Sequence, residues 1–174
     1  MMLCEKYKEQ FLQPEVRCDT YIGIEMKQVW FAELQLLEKF IDVCNKHGLS
    51  YQLVGGSLLG AIRHKGFIPW DDDIDIMMLR KDYERFATVF QRELTEKYEL
   101  AEPLSDSKYV SKAPKIFKKG TTYVEVASCG IKKFDMIFID VFVIENMAEP
   151  GLQRKIKHES WRSEKSDHQS VRWK

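Results

Sequence analysis

Residues 55–76, Gly-Gly-Ser-Leu-Leu-Gly-Ala-Ile-Arg-His-Lys-Gly-Phe-Ile-Pro-Trp-Asp-Asp-Asp-Ile-Asp-Ile, bring a glycine-serine turn, a cationic patch and four carboxylates into one short stretch. These residue types suit phosphate and metal chemistry. A small turn at the mouth of a helix offers backbone N–H groups to an anion, and carboxylates are hard oxygen ligands for Mg²⁺ or Mn²⁺. Gly56 and Ser57 are the candidate anion contacts in the turn, and Arg63, His64 and Lys65 stand between it and the acids.

Asp73 and Asp75 bracket Ile74 and run into the apolar segment Ile76-Met77-Met78-Leu79. Placed on one strand, both carboxylates leave the same face about 7 Å apart. Their repulsion then costs on the order of 2 kcal/mol at an effective dielectric near 20, and Asp71 and Asp72 add to it. A bound divalent cation reverses that sign. An acidic turn at a surface is the ordinary explanation of an Asp run. An apolar strand behind the run and a helix-opening turn before it favour a metal site instead.

The elements that must hold these residues are legible from periodicity. Val29, Trp30, Leu34, Leu37, Phe40, Ile41 and Cys44 recur at three- and four-residue spacing, with Gly48 as a stop, which predicts an amphipathic helix over residues 25–46. A short strand over 51–54 enters the glycine turn and a short helix over 57–63 leaves it. Tyr83, Phe86, Ala87, Phe90 and Leu94 predict a second amphipathic helix over 81–98. Residues 103–108 read as a loop. Strands are expected over 115–118, 121–127 and 134–144, the last two joined as a hairpin through Cys129-Gly130. The fold class is therefore α/β (α+β), a small mixed sheet flanked by helices.

The 174 residues, 44% of them hydrophobic, suffice for one core. Division into an N-terminal segment 1–24, a domain 25–150 and a basic polar tail 151–174 is expected, because apolar spacing vanishes from Gln153 onward. Lys plus Arg and Asp plus Glu total 27 each, so the net charge of zero gives no field for nucleic acid, and a metal-dependent nuclease is disfavoured. Neither a signal peptide nor a transmembrane segment is read, and a cytoplasmic location is expected, with peripheral membrane association open through the basic tail. Cys4, Cys18, Cys44 and Cys129 show no C-x-x-C pairing, which fits reduced thiols better than zinc.

Lys27-Gln28-Val29-Trp30, Glu33-Leu34-Gln35-Leu36-Leu37, Cys44-Asn45-Lys46-His47-Gly48, the run from Gly56 to Ile76 and Leu79-Arg80-Lys81-Asp82-Tyr83 together resemble the LicD family of phosphocholine and related phosphosugar transferases. The resemblance covers roughly residues 20–147. It implies a nucleotidyltransferase-like fold with a Gly-Ser turn, an Asp-x-Asp strand and a third acid, here Asp140 in Ile139-Asp140-Val141-Phe142-Val143-Ile144. Val143 stands where the family usually shows Pro.

The resemblance further implies that Asp73, Asp75 and Asp140 hold Mg²⁺ or Mn²⁺ and carry the catalysis, Asp140 either as ligand of a second ion or as general base. Gly56, Ser57, Arg63, His64, Lys65 and Lys115 become the substrate contacts, with Thr121, Thr122 and Trp70 as weaker candidates. CDP-choline or a similar nucleotide-linked donor and a glycan acceptor are the expected partners. A nucleotide-binding scaffold that lost activity is the rival reading, since family members generally continue past the third-acid strand. On that ground the chain is expected to be a truncated or divergent member with an open acceptor side.

Overall fold

The computed structural model describes residues 6–103, 105–125 and 131–145. In chain order the elements are α1 (Lys8–Phe11), β1 (Glu15–Arg17), β2 (Thr20–Ile22), α2 (Ile24–His47), β3 (Gln52–Leu53), α3 (Gly55–Arg63), β4 (Asp75–Leu79), α4 (Arg80–Glu93), β5 (Tyr98–Ala101), β6 (Lys115–Lys118), a 3₁₀ turn (Lys132–Phe134) and β7 (Phe138–Ile144). The described residues up to Ile144 form one compact unit.

Helix α2 ends where the sequence says it should. Gly48 takes the left-handed conformation at φ 61°, which lets the Leu49 N–H reach back to the Cys44 carbonyl at 2.9 Å. Its buried face, with Leu36, Phe40 and Cys44, meets Phe86 and Phe90 of α4 over Ile76, Met78, Ile139 and Val141 of the sheet. Phe40 and Phe86 touch with ring centroids 5.0 Å apart. Each such buried side chain contributes about 1.5–3 kcal/mol, so this layer holds the helices on the strands that carry the acids.

The five-stranded sheet runs β3-β4-β7-β6-β5. Only the central pair β4–β7 is parallel; β3–β4, β7–β6 and β6–β5 are antiparallel. This is the expected mixed sheet with flanking helices. A separate two-stranded hairpin, β1–β2, turns through Cys18 at φ 52° and Asp19 at φ 58°. Two left-handed residues suit a tight turn whose twist matches its strands. Nothing in the periodicity had pointed to it.

Three sequence expectations need correction. The second long helix stops at Glu93, and Tyr98 opens β5, paired to Lys118 of β6. Phe86, Phe90, Leu94 and Tyr98 keep helical spacing, so only the long-range pairing ends the helix. No strand forms over residues 121–125, with 126 and 127 outside the described residues. There the Thr121 side chain replaces a ladder, its Oγ1 donating to the Lys118 carbonyl and accepting from the Ile137 N–H at 3.0 Å. Finally, β7 begins at Phe138 rather than Phe134, which closes a 3₁₀ turn. The proposed hairpin turn at Cys129-Gly130 and the tail 151–174 lie outside the described residues.

Candidate functional site

The parallel pairing of β4 with β7 sets Asp75 directly opposite Asp140, and the antiparallel pairing of β6 with β7 sets Lys115 opposite the same residue. Three neighbouring strands thus place Asp75, Asp140 and Lys115 in one row across the sheet. Asp73 is not on the strand, contrary to the sequence expectation. The ladder starts at Asp75, and the Ile74 carbonyl accepts from the Asp140 N–H at 2.9 Å. Freed from a strand's fixed spacing, Asp73 swings inward, and one oxygen from each of Asp73, Asp75 and Asp140 lies within 4.8 Å of the others.

Helix α3 is pressed against this cluster. Gly55 has φ +59°, and a Cβ built there would lie 2.6 Å from Asp75 Oδ2; at Gly56 a Cβ would strike Asp71 Oδ2. Both glycines are needed for close approach as much as for the turn. The Asp75 N–H donates to Ser57 Oγ at 2.8 Å, which leaves the Ser57 hydroxyl proton to donate elsewhere. The first-turn N–H groups of α3 have no partner within the helix, as at any helix start.

Burial first, and neighbouring carboxylates after it, raise the proton affinity of Asp73, Asp75 and Asp140. Asp73 is pushed up to about 7, first by burial and then by Asp75, Asp71, Asp140 and Asp72. Burial and then Asp140 raise Asp75, with Lys115 opposing. Asp140 is raised by burial and held back by Lys115, whose Nζ sits 3.2 Å from its Oδ2. Lys115 is 4% exposed, touches Glu125 Oε1 at 3.3 Å and lies 3.4 Å from the Phe138 ring centroid. Three hard oxygen donors, converging and under mutual repulsion, fit a divalent cation.

The remaining predicted residues are elsewhere. Arg63 ends α3, about 12 Å along the helix from its glycine turn, and His64 and Lys65 come just after it. Their partners are one another, the end of α3 and the β1–β2 turn. Arg63 Nε donates to His64 Nε2 at 2.8 Å, His64 Nδ1 meets Cys18 Sγ at 3.7 Å, and Lys65 Nζ donates to the Ile62 carbonyl at 3.0 Å. Partial desolvation, Arg63 and Arg17 lower the His64 pKa. Trp70 is exposed and packs edge-on to His64.

Glu33 of α2 was missed as a site residue. It is 2% exposed, its Oε2 has no hydrogen-bond partner among the described residues, and burial followed by Asp73, Asp72 and Asp71 pushes its pKa up to about 10. The signal was available: Glu33 falls on the buried stripe three residues after Trp30 and four before Leu37. Tyr123 was missed too; its hydroxyl donates to Asp72 Oδ2. From the same face of α2, the Trp30 indole N–H donates to the Asp71 carbonyl at 2.7 Å and ties down the acidic loop. Cys18 is an exposed and Cys44 a buried free thiol; Cys4 and Cys129 are outside the described residues.

The residues that form this cluster fall within a segment similar to known proteins. The family described as "LicD/FKTN/FKRP, nucleotidyltransferase domain" matches residues 48–172. The lipopolysaccharide cholinephosphotransferase LicD of Haemophilus influenzae is 41% identical over 116 residues, which are 66% of this chain and 42% of that protein. Human ribitol 5-phosphate transferase FKRP is 48% identical over 42 residues, 24% of this chain and 8% of that protein. An uncharacterized Rickettsia typhi protein is 33% identical over 84 residues, 45% of this chain and 27% of its own length. The chain thus spans less than half the length of these relatives. With the matching model covering most of the chain, and the Gly-Ser turn, acidic loop and third acid assembled as one site, the protein belongs to the LicD/FKTN/FKRP nucleotidyltransferase-domain family.

Proposed function

We propose that this chain transfers a phosphate-linked alcohol from a CDP-linked donor, CDP-choline in the first instance, to a glycan hydroxyl, with Mg²⁺ or Mn²⁺ held by Asp73, Asp75 and Asp140. The observation that carries the reading is the convergence of three carboxylate oxygens within 4.8 Å beside the start of α3. The names of two relatives, a cholinephosphotransferase and a ribitol 5-phosphate transferase, support the same bond chemistry. Bound there, the cation would neutralise the acids and polarise phosphate oxygens.

The chain's own residues do the rest. Gly56 N–H and the Ser57 hydroxyl receive donor phosphate at the positive end of α3. The acceptor oxygen bonds to phosphorus, the bond to CMP breaks, and Asp140 takes the acceptor proton while Lys115 keeps it oriented. Arg63, His64 and Lys65 meet anionic parts of the substrates farther along α3.

The test is CMP or nucleotide release across a panel of CDP-alcohols and nucleotide sugars with a glycan acceptor. Release with CDP-choline that needs Mg²⁺ and drops to background in Asp75→Asn, at unchanged circular dichroism, is expected. Release indifferent to chelator or to that substitution overturns the reading.

A further inference from the structure

A cavity of about 780 Å³ lies between the β1–β2 hairpin, α2 and α3, apart from the carboxylates themselves. Its walls are largely apolar, formed by Phe11, Leu34, Leu37, Phe67 and Ile74. Three cations, Arg17, Lys27 and Lys65, also line it, against the single carboxylate of Glu15. That charge is already spent: Lys27 Nζ binds Glu15 Oε1 at 2.6 Å.

Arg17 is left over. Its Nε is buried without a hydrogen-bond partner among the described residues, and Glu15 Oε1 is 3.8 Å from its Nη2, beyond hydrogen-bond reach. The guanidinium lies 5.5 Å from the Trp30 ring centroid, within cation–π reach of another lining residue. A buried donor without an acceptor is costly, and a planar guanidinium matches phosphate oxygens in pairs. Lys65, with one ammonium proton committed to the Ile62 carbonyl, keeps two for the same anion.

We propose that this cavity is a binding site for an organic phosphate, its apolar or aromatic body against Phe67, Leu34 and Ile74 and its phosphate on Arg17. The volume is that of a small-molecule site, and apolar walls with one polar anchor are the usual recipe for one. The site adjoins the acids through shared neighbours. Ser57 lines the cavity and holds the Asp75 N–H, and Trp30 holds the Asp71 carbonyl. A nucleotide and a lipid-linked phosphate both carry the required chemistry.

Calorimetric titration of the full chain in EDTA tests this without the metal, using CMP, decyl phosphate and inorganic phosphate as probes. At least one of the two organic phosphates should bind about tenfold or more tighter than inorganic phosphate, and the tighter of the two names the source. Arg17→Gln should weaken that binding at least about tenfold, as expected for a lost charge-assisted hydrogen bond. Ala61→Phe, a filler on an exposed wall position, should weaken it similarly and decides the matter if Arg17→Gln does not fold. Organic phosphates no tighter than inorganic phosphate, or unchanged affinity in the folded variants, overturns the proposal. Because metal is absent, failure of Mg²⁺-dependent transfer leaves this result standing, and the reverse holds too.

Discussion

Glu33 shows how a single buried side chain registers the charge around it. With an ordinary carboxyl value unfolded and about 10 folded, it takes up a proton on folding at neutral pH. The sign follows: a raised acid contributes stability below its unfolded pKa and loses it as pH rises toward the folded value, by up to about 1.4 kcal/mol per pH unit. Glu33→Gln keeps the shape and removes the titration. The variant should therefore match wild type near pH 4 and gain on it steadily toward pH 8, about 1 kcal/mol or more by denaturant melts. Equal pH slopes would show that Glu33 is not held protonated. The charged form is opposed by burial first and by Asp73, Asp72 and Asp71 after that, so the residue belongs energetically to the acidic loop although α2 carries it.

Among the elements, the contact of α3 with β4 leaves the least room. Gly55→Ala meets both a left-handed backbone and Asp75 Oδ2, so a loss of about 1–3 kcal/mol is expected, with weakened Mn²⁺ binding because Asp75 must shift. Full Mn²⁺ affinity in a folded Gly55→Ala would show that α3 does not position the acid. Across β6–β7, Lys115→Met strips Asp140 and Glu125 of a buried ammonium. Breaking one side of a buried pair costs about 3–5 kcal/mol, and divalent ions should restore part of it by facing Asp140 with new positive charge. A melting temperature unchanged by Lys115→Met would mean the ammonium is not structural. Here the register does the work, since a one-residue slip would turn Asp140 away from both Asp75 and Lys115.

At the scale of the molecule, net charge is zero but acids concentrate on one loop and one sheet row. Asp73, raised to about 7, contributes stability below its unfolded pKa of about 4 and loses it as pH climbs through about 7. Metal-free protein should thus melt at lower temperature near pH 8 than near pH 5. Added Mg²⁺ should reverse much of that loss at the higher pH and do little at the lower, because ligands bind only when deprotonated. A pH-independent melting temperature with no Mg²⁺ response would count against the carboxylate cluster as a cation site. Calorimetric scans at the two pH values, with and without Mg²⁺, decide it.

The sequence alone determined the acidic run at 71–75 behind a glycine turn, the long helix stopping at Gly48 and the strand at 115–118, while Asp140 was marked by the family resemblance. The first three rest on local signals: a turn, a stop residue, a periodicity. Only the tertiary structure decided what depends on partners distant in the chain. It moved Asp73 off the strand, because β7 starts the ladder at Asp75. It ended the second helix before Tyr98, because β6 offers that segment a strand to pair with. It separated Arg63, His64 and Lys65 from the acids, because α3 runs as a rigid rod between them. It also brought Glu33 and Trp30 to the acidic loop and left the Arg17 Nε without an acceptor among the described residues, since burial and hydrogen bonding are settled by the packing of distant elements against one another.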